Sequence, residues 1–307
     1  MTLILRRFIR GVACAGAFVR LAAVLVVAFS ASVVVAASLG YSVRSDVDRR
    51  LYRIDLATGV ATQLGATGFS KIEGLAINAT GEIFGVNPAT AQLVKCSPTT
   101  GACAAVGPLI GVPQVQTNAG LAFASNGALY LAMNAVVYRV DPATGGTTAL
   151  GGTGPALSGL AGVNPSAACA SGLYGIGGNT DRGKLYCINV ATGFATLLGT
   201  LSINPLDSGL DGDPVTGIVW GVSNDDPGQV FAINPATLAV TNVNTVTLAG
   251  TAVGGFESLA VLHTADALLV EPVPTLSQTA LLLLSLSLAS AVILRQRRSA
   301  AIASRRE

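Results

Sequence analysis

The side chains able to do acid–base or ligand chemistry in this sequence are almost all carboxylates. Glu73 and Glu257 each stand immediately before a Gly/Ser-Leu-Ala element, and Asp46, Asp48, Asp181, Asp207, Asp225 and Asp226 fall in loop-like stretches. Clustered acids with backbone carbonyls suit Ca²⁺, a hard cation that prefers oxygen ligands. Two carboxyl groups also suit glycoside chemistry, although Asp and Asn are ordinary turn residues as well. His263 is the one histidine, beside the end of the last strand-like element. Ser-His-Asp hydrolysis and His-rich metal sites need a well-placed His, so those classes fall away. No phosphate loop or dinucleotide fingerprint is present. Asp207-x-x-x-Asp211-Gly-Asp213 is spaced wrongly for an EF-hand.

These acids must be positioned by a repeat. Leu51-Tyr-Arg-Ile-Asp-Leu-Ala-Thr-Gly59 returns with variation at Gly101, Gly145 and Gly193, spaced by 42, 44 and 48 residues, and once more ending at Thr237. A second element runs in step: Gly74-Leu-Ala76, Gly120-Leu-Ala122, Gly159-Leu-Ala161, Gly209-Leu-Asp211 and Ser258-Leu-Ala260. A third follows it, as Ile83-Phe-Gly-Val86, Leu129-Tyr-Leu-Ala132, Leu173-Tyr-Gly-Ile176 and Ile218-Val-Trp-Gly-Val222. Each unit reads as four short strands rich in Val, Ile, Leu and Tyr, punctuated by Gly, Pro, Asn and Asp. Four-stranded units of about 45 residues are β-propeller blades.

The expected architecture is an all-β, five-bladed propeller over 38–263. Its N-terminal three strands complete the last blade and close the ring; a six-bladed ring with one degenerate blade is the alternative. In such a ring the loops leading into first strands and those joining second to third strands share one face. Glu73, Glu257, Asp46, Asp48, Asp181, Asp207, Asp225 and Asp226 would all lie there. Tyr52, Tyr138, Tyr186 and Phe231 recur at one place in each blade, which points to packing between sheets.

Charge separates the ends from the middle. Residues 1–37 hold four Arg and no acid, residues 273–307 five Arg and one Glu, and 38–272 carry nine Lys/Arg against fifteen Asp/Glu. An acidic body excludes a nucleic-acid partner, which needs clustered Lys and Arg. Arg6, Arg7 and Arg10, an uncharged apolar run over 21–35 and small residues at Val35-Ala36-Ala37 read as a signal peptide over 1–37, cleaved by signal peptidase. An uncleaved anchor helix is the alternative. At the other end, 276–294 is nineteen uncharged residues, roughly 28 Å as a helix at about 1.5 Å per residue. That suffices for a transmembrane span, and Arg295, Arg297 and Arg298 would keep the tail cytoplasmic. A linker over 264–272 joins it to the ring.

Val273-Pro274-Thr275-Leu276-Ser277, followed by an apolar helix and an Arg cluster, resembles the IPTL-CTERM sorting signal over 273–307. Val273, Gln278, Thr279 and Ala280 depart from its usual residues. The resemblance implies an exosortase-type processing enzyme as partner, a Gram-negative host, and a protein that passes through the inner membrane to the surface or the medium. If the tail is not processed, it is a membrane anchor. The repeat resembles NHL-type and gluconolactonase-like propellers, in which Gly-Ile-Ala leads the strand nearest the axis.

Of the five cysteines, four lie in the body, where export permits oxidation. Cys96 and Cys103 flank one turn and are expected to pair, leaving Cys169 with Cys187. The function expected is non-enzymatic binding, to a protein, an extracellular polysaccharide or a cation. The alternative is a Ca²⁺-dependent gluconolactonase-like hydrolase or polysaccharide lyase using Asp/Glu. A structural component of an extracellular matrix reads the same way as the first.

Overall fold

The computed structural model describes residues 38–114 and 119–263. The signal segment, the linker, the sorting motif at Val273, Pro274, Thr275 and Leu276, and the span 276–294 lie outside the described residues.

The body is a ring of five blades. Blade I comprises Glu73–Ile77, Ile83–Asn87, Gln92–Cys96 and Cys103–Pro108, an antiparallel meander in that spatial order. Blade II comprises Ala119–Phe123, Leu129–Met133, Val136–Val140 and Thr147–Gly152. Blade III comprises Leu157–Gly162, Leu173–Gly177, Lys184–Ile188 and Ala195–Thr200, and blade IV Ser208–Asp213, Ile218–Ser223, Gln229–Asn234 and Ala239–Thr245. Blade V is assembled from both ends: Ala260–Val261 is its inner strand, followed outward by Leu39–Val43, Arg50–Asp55 and Val60–Ala66. The ring therefore has five blades, closed by the N-terminal strands as the repeat register predicts.

Side chains sort by distance from the axis. The first two strands of blades I and II are buried on both faces or nearly so, while the outer strands Val60–Ala66 and Ala239–Thr245 are largely exposed and rich in Thr, Asn and Gln. Third strands alternate, as in Arg50–Asp55, where Arg53 points out between buried Tyr52 and Ile54. Tyr52, Tyr138, Tyr186 and Phe231 are each at most 5% exposed and fill the gaps between neighbouring sheets. Tyr52 meets Phe256 edge to face at 5.6 Å, a geometry that aromatic pairs favour.

The recurring Gly-Leu-Ala element is explained at the axis. A Cβ on Gly120 would come within 2.7–3.0 Å of backbone atoms of Gly159 and Leu160, and one on Gly209 within 2.4 Å of the Ser258 backbone. Gly159 faces the Ser208 carbonyl in the same way, at 2.4 Å. At four of the five junctions the inner strands touch backbone to backbone, and only a residue lacking Cβ fits there; blade V has Ser258 at that place. The Ala-Thr-Gly turns do a similar job at the rim. Thr100, Thr144 and Thr192 each set a carbonyl against an outer-strand glycine of the preceding blade, respectively Gly65, Gly107 and Gly151. The Asp or Asn that opens these turns is turn chemistry. Asp55, Asp141, Asn189 and Asn234 each accept backbone N–H bonds from residues two or three further on, at 2.9–3.3 Å.

Closure needs more than strand pairing, because the inner strand of blade V is two residues long. Ala260 and Val261 pair with Tyr41 and Gly40, and Leu262 N donates to Leu39 O at 2.8 Å. Ser42 Oγ donates to Ser258 O, and Ser258 Oγ accepts from Val43 N at 3.3 Å. Residues 246–255 form a strap: Thr247–Leu248 runs parallel to the start of Val60–Ala66, and Thr251–Ala252 turns back on it. Asp211 stands where other blades have Ala. Fully buried, it accepts Val261 N and Gly212 N, both at 2.8 Å, and burial pushes its carboxyl well above the usual range.

Two disulfides staple the blades. Cys96 and Cys103 are directly opposed in the blade I ladder, with Cα atoms 3.9 Å apart. Cys169 and Cys187, with Cα atoms 5.4 Å apart, tie the loop after the first strand of blade III to its third strand.

Two substitutions test this account in urea unfolding. Gly209→Ala should lose about 1–3 kcal/mol or more through overpacking at the axis, whereas Gly152→Ala, whose Cβ would meet only the Ala135 carbonyl at 3.7 Å, should stay within about 0.5 kcal/mol. Asp211→Ala should lose about 1–3 kcal/mol by leaving two buried N–H groups without an acceptor, and Asp211→Asn less. A neutral Asp211→Ala would show that ring closure does not depend on this side chain.

Candidate functional site

The residue before the Gly-Leu-Ala element is Glu73, Ala119, Ser158, Ser208 or Glu257 in blades I to V. All five are at most 8% exposed. They form a ring around the axis on the face of the acid-bearing loops. Ala119 N donates to Glu73 Oε2 at 3.2 Å, and Ser208 N donates to Ser158 Oγ at 3.1 Å. In both cases the side chain of one blade accepts the backbone of the next. At Glu73 a β-bulge carries Gly74 into the left-handed region, at φ +53°. Only glycine takes that conformation readily, and bulges of this kind re-aim a neighbouring side chain. Here the re-aimed side chain is the Glu73 carboxyl.

Ring closure brings Glu73 and Glu257 together. Glu73 Oε1 pairs with Lys71 Nζ at 2.7 Å, and the same ammonium reaches Asp46 Oδ2 at 3.3 Å. Asn224 Nδ2 donates to Glu257 Oε1 at 2.8 Å. Burial pushes both carboxyls up; for Glu73 the Lys71 ammonium opposes this, while for Glu257 the Glu73 charge adds to it and takes it to about 8. Burial acts against the Lys71 ammonium, but Glu73, Glu257 and Asp46 together outweigh it and the net shift is upward. The two carboxyls lie close enough to shift each other's titration, and the charge on Glu73 disfavours a second charge on Glu257. Carboxyls that act on a glycoside stand about 5 Å or more apart, with the sugar or a water between them. A buried pair in contact is suited to holding a proton.

The remaining acids are engaged locally. Asp48 accepts from Tyr52 Oη at 2.6 Å and pairs with Arg44 at 3.4 Å. Asp181 pairs with Lys184 at 2.6 Å. Asp207 accepts Asn179 N at 3.3 Å, and both oxygens of Asp225 accept Leu206 N at 3.3 Å. Asp226 precedes Pro227 across a cis peptide bond. Among the described residues no three His, Cys, Asp or Glu side chains converge to hold a metal ion. His263 is partly buried, two residues past the closing strand.

The sequence puts Glu73 and Glu257 in neighbouring blades and all eight acids on one face; in the structure Lys71 links Glu73 to Asp46, and most of the other aspartates bond to groups near them. Sequence reasoning missed Lys71 and Asn224, which sit outside the repeated elements. The signal for Lys71 was local: it lies two residues before Glu73 in a body with few lysines. Strand polarity also sets the first and last described stretches of the ring apart from this site. The loop holding Asp46 and Asp48 lies at one end of Leu39–Val43, whereas Ser38, whose carbonyl accepts Leu56 N at 2.9 Å, and Leu262 lie at the other.

Comparison with known proteins matches two parts of the chain to family models. A family model described as a repeat of unknown function, DUF6923, matches residues 134–257, from the third strand of blade II to the glutamate before the closing strand. No curated protein matches the chain. Among solved structures, one titled "Crystal structure of Nidogen/Laminin Complex" is similar at 16% identity and a TM-score of 0.44, covering 74% of this chain and 85% of that one. Another, the virginiamycin B lyase from Staphylococcus aureus, is similar at 16% identity and a TM-score of 0.38, covering 67% and 69%. At the C-terminus the IPTL-CTERM motif model matches residues 271–298. The chain is a five-bladed β-propeller that carries an IPTL-CTERM sorting signal.

Proposed function

We propose that this protein is an exported, non-enzymatic binding or scaffold propeller, delivered to the cell surface or the medium through its C-terminal signal. The observation that carries this reading is the IPTL-CTERM motif at 271–298, directly after the ring closes at Ala260–Val261. Two disulfides in the body support an oxidising destination. In this reading signal peptidase removes 1–37 and an exosortase-type enzyme acts at Val273, Pro274, Thr275 and Leu276, with 276–294 holding the intermediate in the inner membrane. The working surface is the loop face around Asp46, Asp181, Asp207, Asp225 and Asp226, opposite Ser38 and Leu262. A protein or an extracellular polysaccharide is the class of partner that such a loop-rich face takes.

The test is the intact mass of the protein in the membrane and medium fractions of its host. A species beginning at Ser38 and ending near Thr275, found outside the membrane, is the expected result. A membrane-bound species that keeps residues 276–307 would overturn the processing step.

A further inference from the structure

The junction between blades V and I contains a charge arrangement that the rest of the ring lacks. Where blades II, III and IV place Ala119, Ser158 and Ser208 before the axial glycine, blades I and V place glutamates. Glu257 Oε2 is buried and receives no hydrogen bond from any protein donor, and buried Glu73 Oε1 is met by Lys71 Nζ alone. Glu73 Oε1 has an ion pair with Lys71, which also serves Asp46. Glu257 Oε2 has no such cation. As two carboxylates the pair offers only acceptors, and the contact is repulsive. One proton on Glu257 gives its unpartnered oxygen a hydrogen to donate to the neighbouring Glu73 carboxylate.

We propose that Glu73 and Glu257 share a single proton that fastens blade V to blade I, so that the ring is closed by a proton-operated clasp. Losing the proton leaves two buried negative charges against one ammonium, at the junction where the inner strand is shortest. The loosened element is the closing strand Ala260–Val261 and its pairing with Leu39–Val43. The axial glycines hold the other four junctions, none of which has a carboxyl pair.

The groups facing the pair fix the sign. Lys71 and Asp46 face it from the segment before blade I and from the second-to-third-strand loop of blade V. Asn224 faces it from blade IV as a neutral donor. Asp225, next along that loop, is turned to Leu206 N. Arg44 is spent on the Gly254 carbonyl at 2.8 Å, on Asp48, and on the Phe256 ring at 5.6 Å. Ser42 and Ser258 hydroxyls bond backbone groups of the same blade. With Glu257 raised from an ordinary 4.5 to about 8, closing the clasp takes up a proton. The stabilisation is complete below about pH 4.5, weakens about tenfold per pH unit above that, and is gone once the pH has passed about 8. Lys71 stays charged throughout, since its pKa is raised.

The experiment follows the full chain, purified in detergent, from pH 5 to 9.5. Unfolding equilibria of wild type and Glu257→Gln are compared, together with amide exchange at Val261 and Val43 corrected for intrinsic rates. The substituted amide accepts from Asn224 and donates to Glu73 at every pH, so the variant should lose one proton's worth of pH dependence. Expected is a gap between the two proteins that widens about tenfold per pH unit up to about pH 8 and is level beyond it. Parallel profiles would overturn the clasp. Should Glu257→Gln fail to fold, the carboxyl-carbon NMR titration of Glu257 in the wild-type protein decides the matter: a midpoint well above 4.5 supports the clasp and one near 4.5 ends it. Asp211, whose pKa is raised in the same direction, is removed from the comparison because it is present in both proteins.

Discussion

The structure depends on how closely five inner strands can approach one axis. Gly74, Gly120, Gly159 and Gly209 set the distance, since a Cβ at any of them would fall within 2.4–2.7 Å of a neighbouring blade's backbone. Contact at that range leaves no room for a side chain and forces the preceding residue into a buried ring. A buried side chain there must be small or must find a partner. Ala119 takes the first course, and Ser158 and Glu73 the second by accepting the next blade's N–H. The polar ring is therefore a consequence of the glycine layer.

Blade V is held in place differently. A two-residue inner strand buries little apolar surface, and polar links make up the difference: Asp211 to Val261, Ser42 to Ser258, Arg44 to the Gly254 carbonyl, and the glutamate pair. Hydrogen bonds to buried partners are directional, so they hold one register where loose apolar contact would tolerate several. The strap over 246–255 adds to this by occupying the edge of Val60–Ala66, which would otherwise present unpaired backbone groups.

Much of this was legible in the sequence because a repeat reports the same physics five times over. The turn glycines at 59, 101, 145 and 193 have φ of +75° to +78°, the left-handed conformation that only glycine takes without strain. The pairing of Cys96 with Cys103 follows from their places on either side of one such turn. What escaped was everything that breaks the period. Asp211 reads as a flaw in a Gly-Leu-Ala element until Val261 is seen beside it. The strap belongs to no repeat, and Asn224 becomes a site residue only because its loop meets Glu257, 33 residues further on.

The antiparallel register of Leu39–Val43 with Ala260–Val261 also orders events in time. A chain that emerges N-terminus first presents Leu39–Val43, Arg50–Asp55 and Val60–Ala66 as three strands of a blade whose fourth has yet to appear. Blades I to IV are contiguous and can form as local units, with short-range contacts that assemble quickly. The first strands must wait, with one edge open, for the last residues of the body. A chain made in this order becomes a ring only after its final strand has emerged. The sorting signal, lying immediately beyond that strand, is the next part of the chain to arrive.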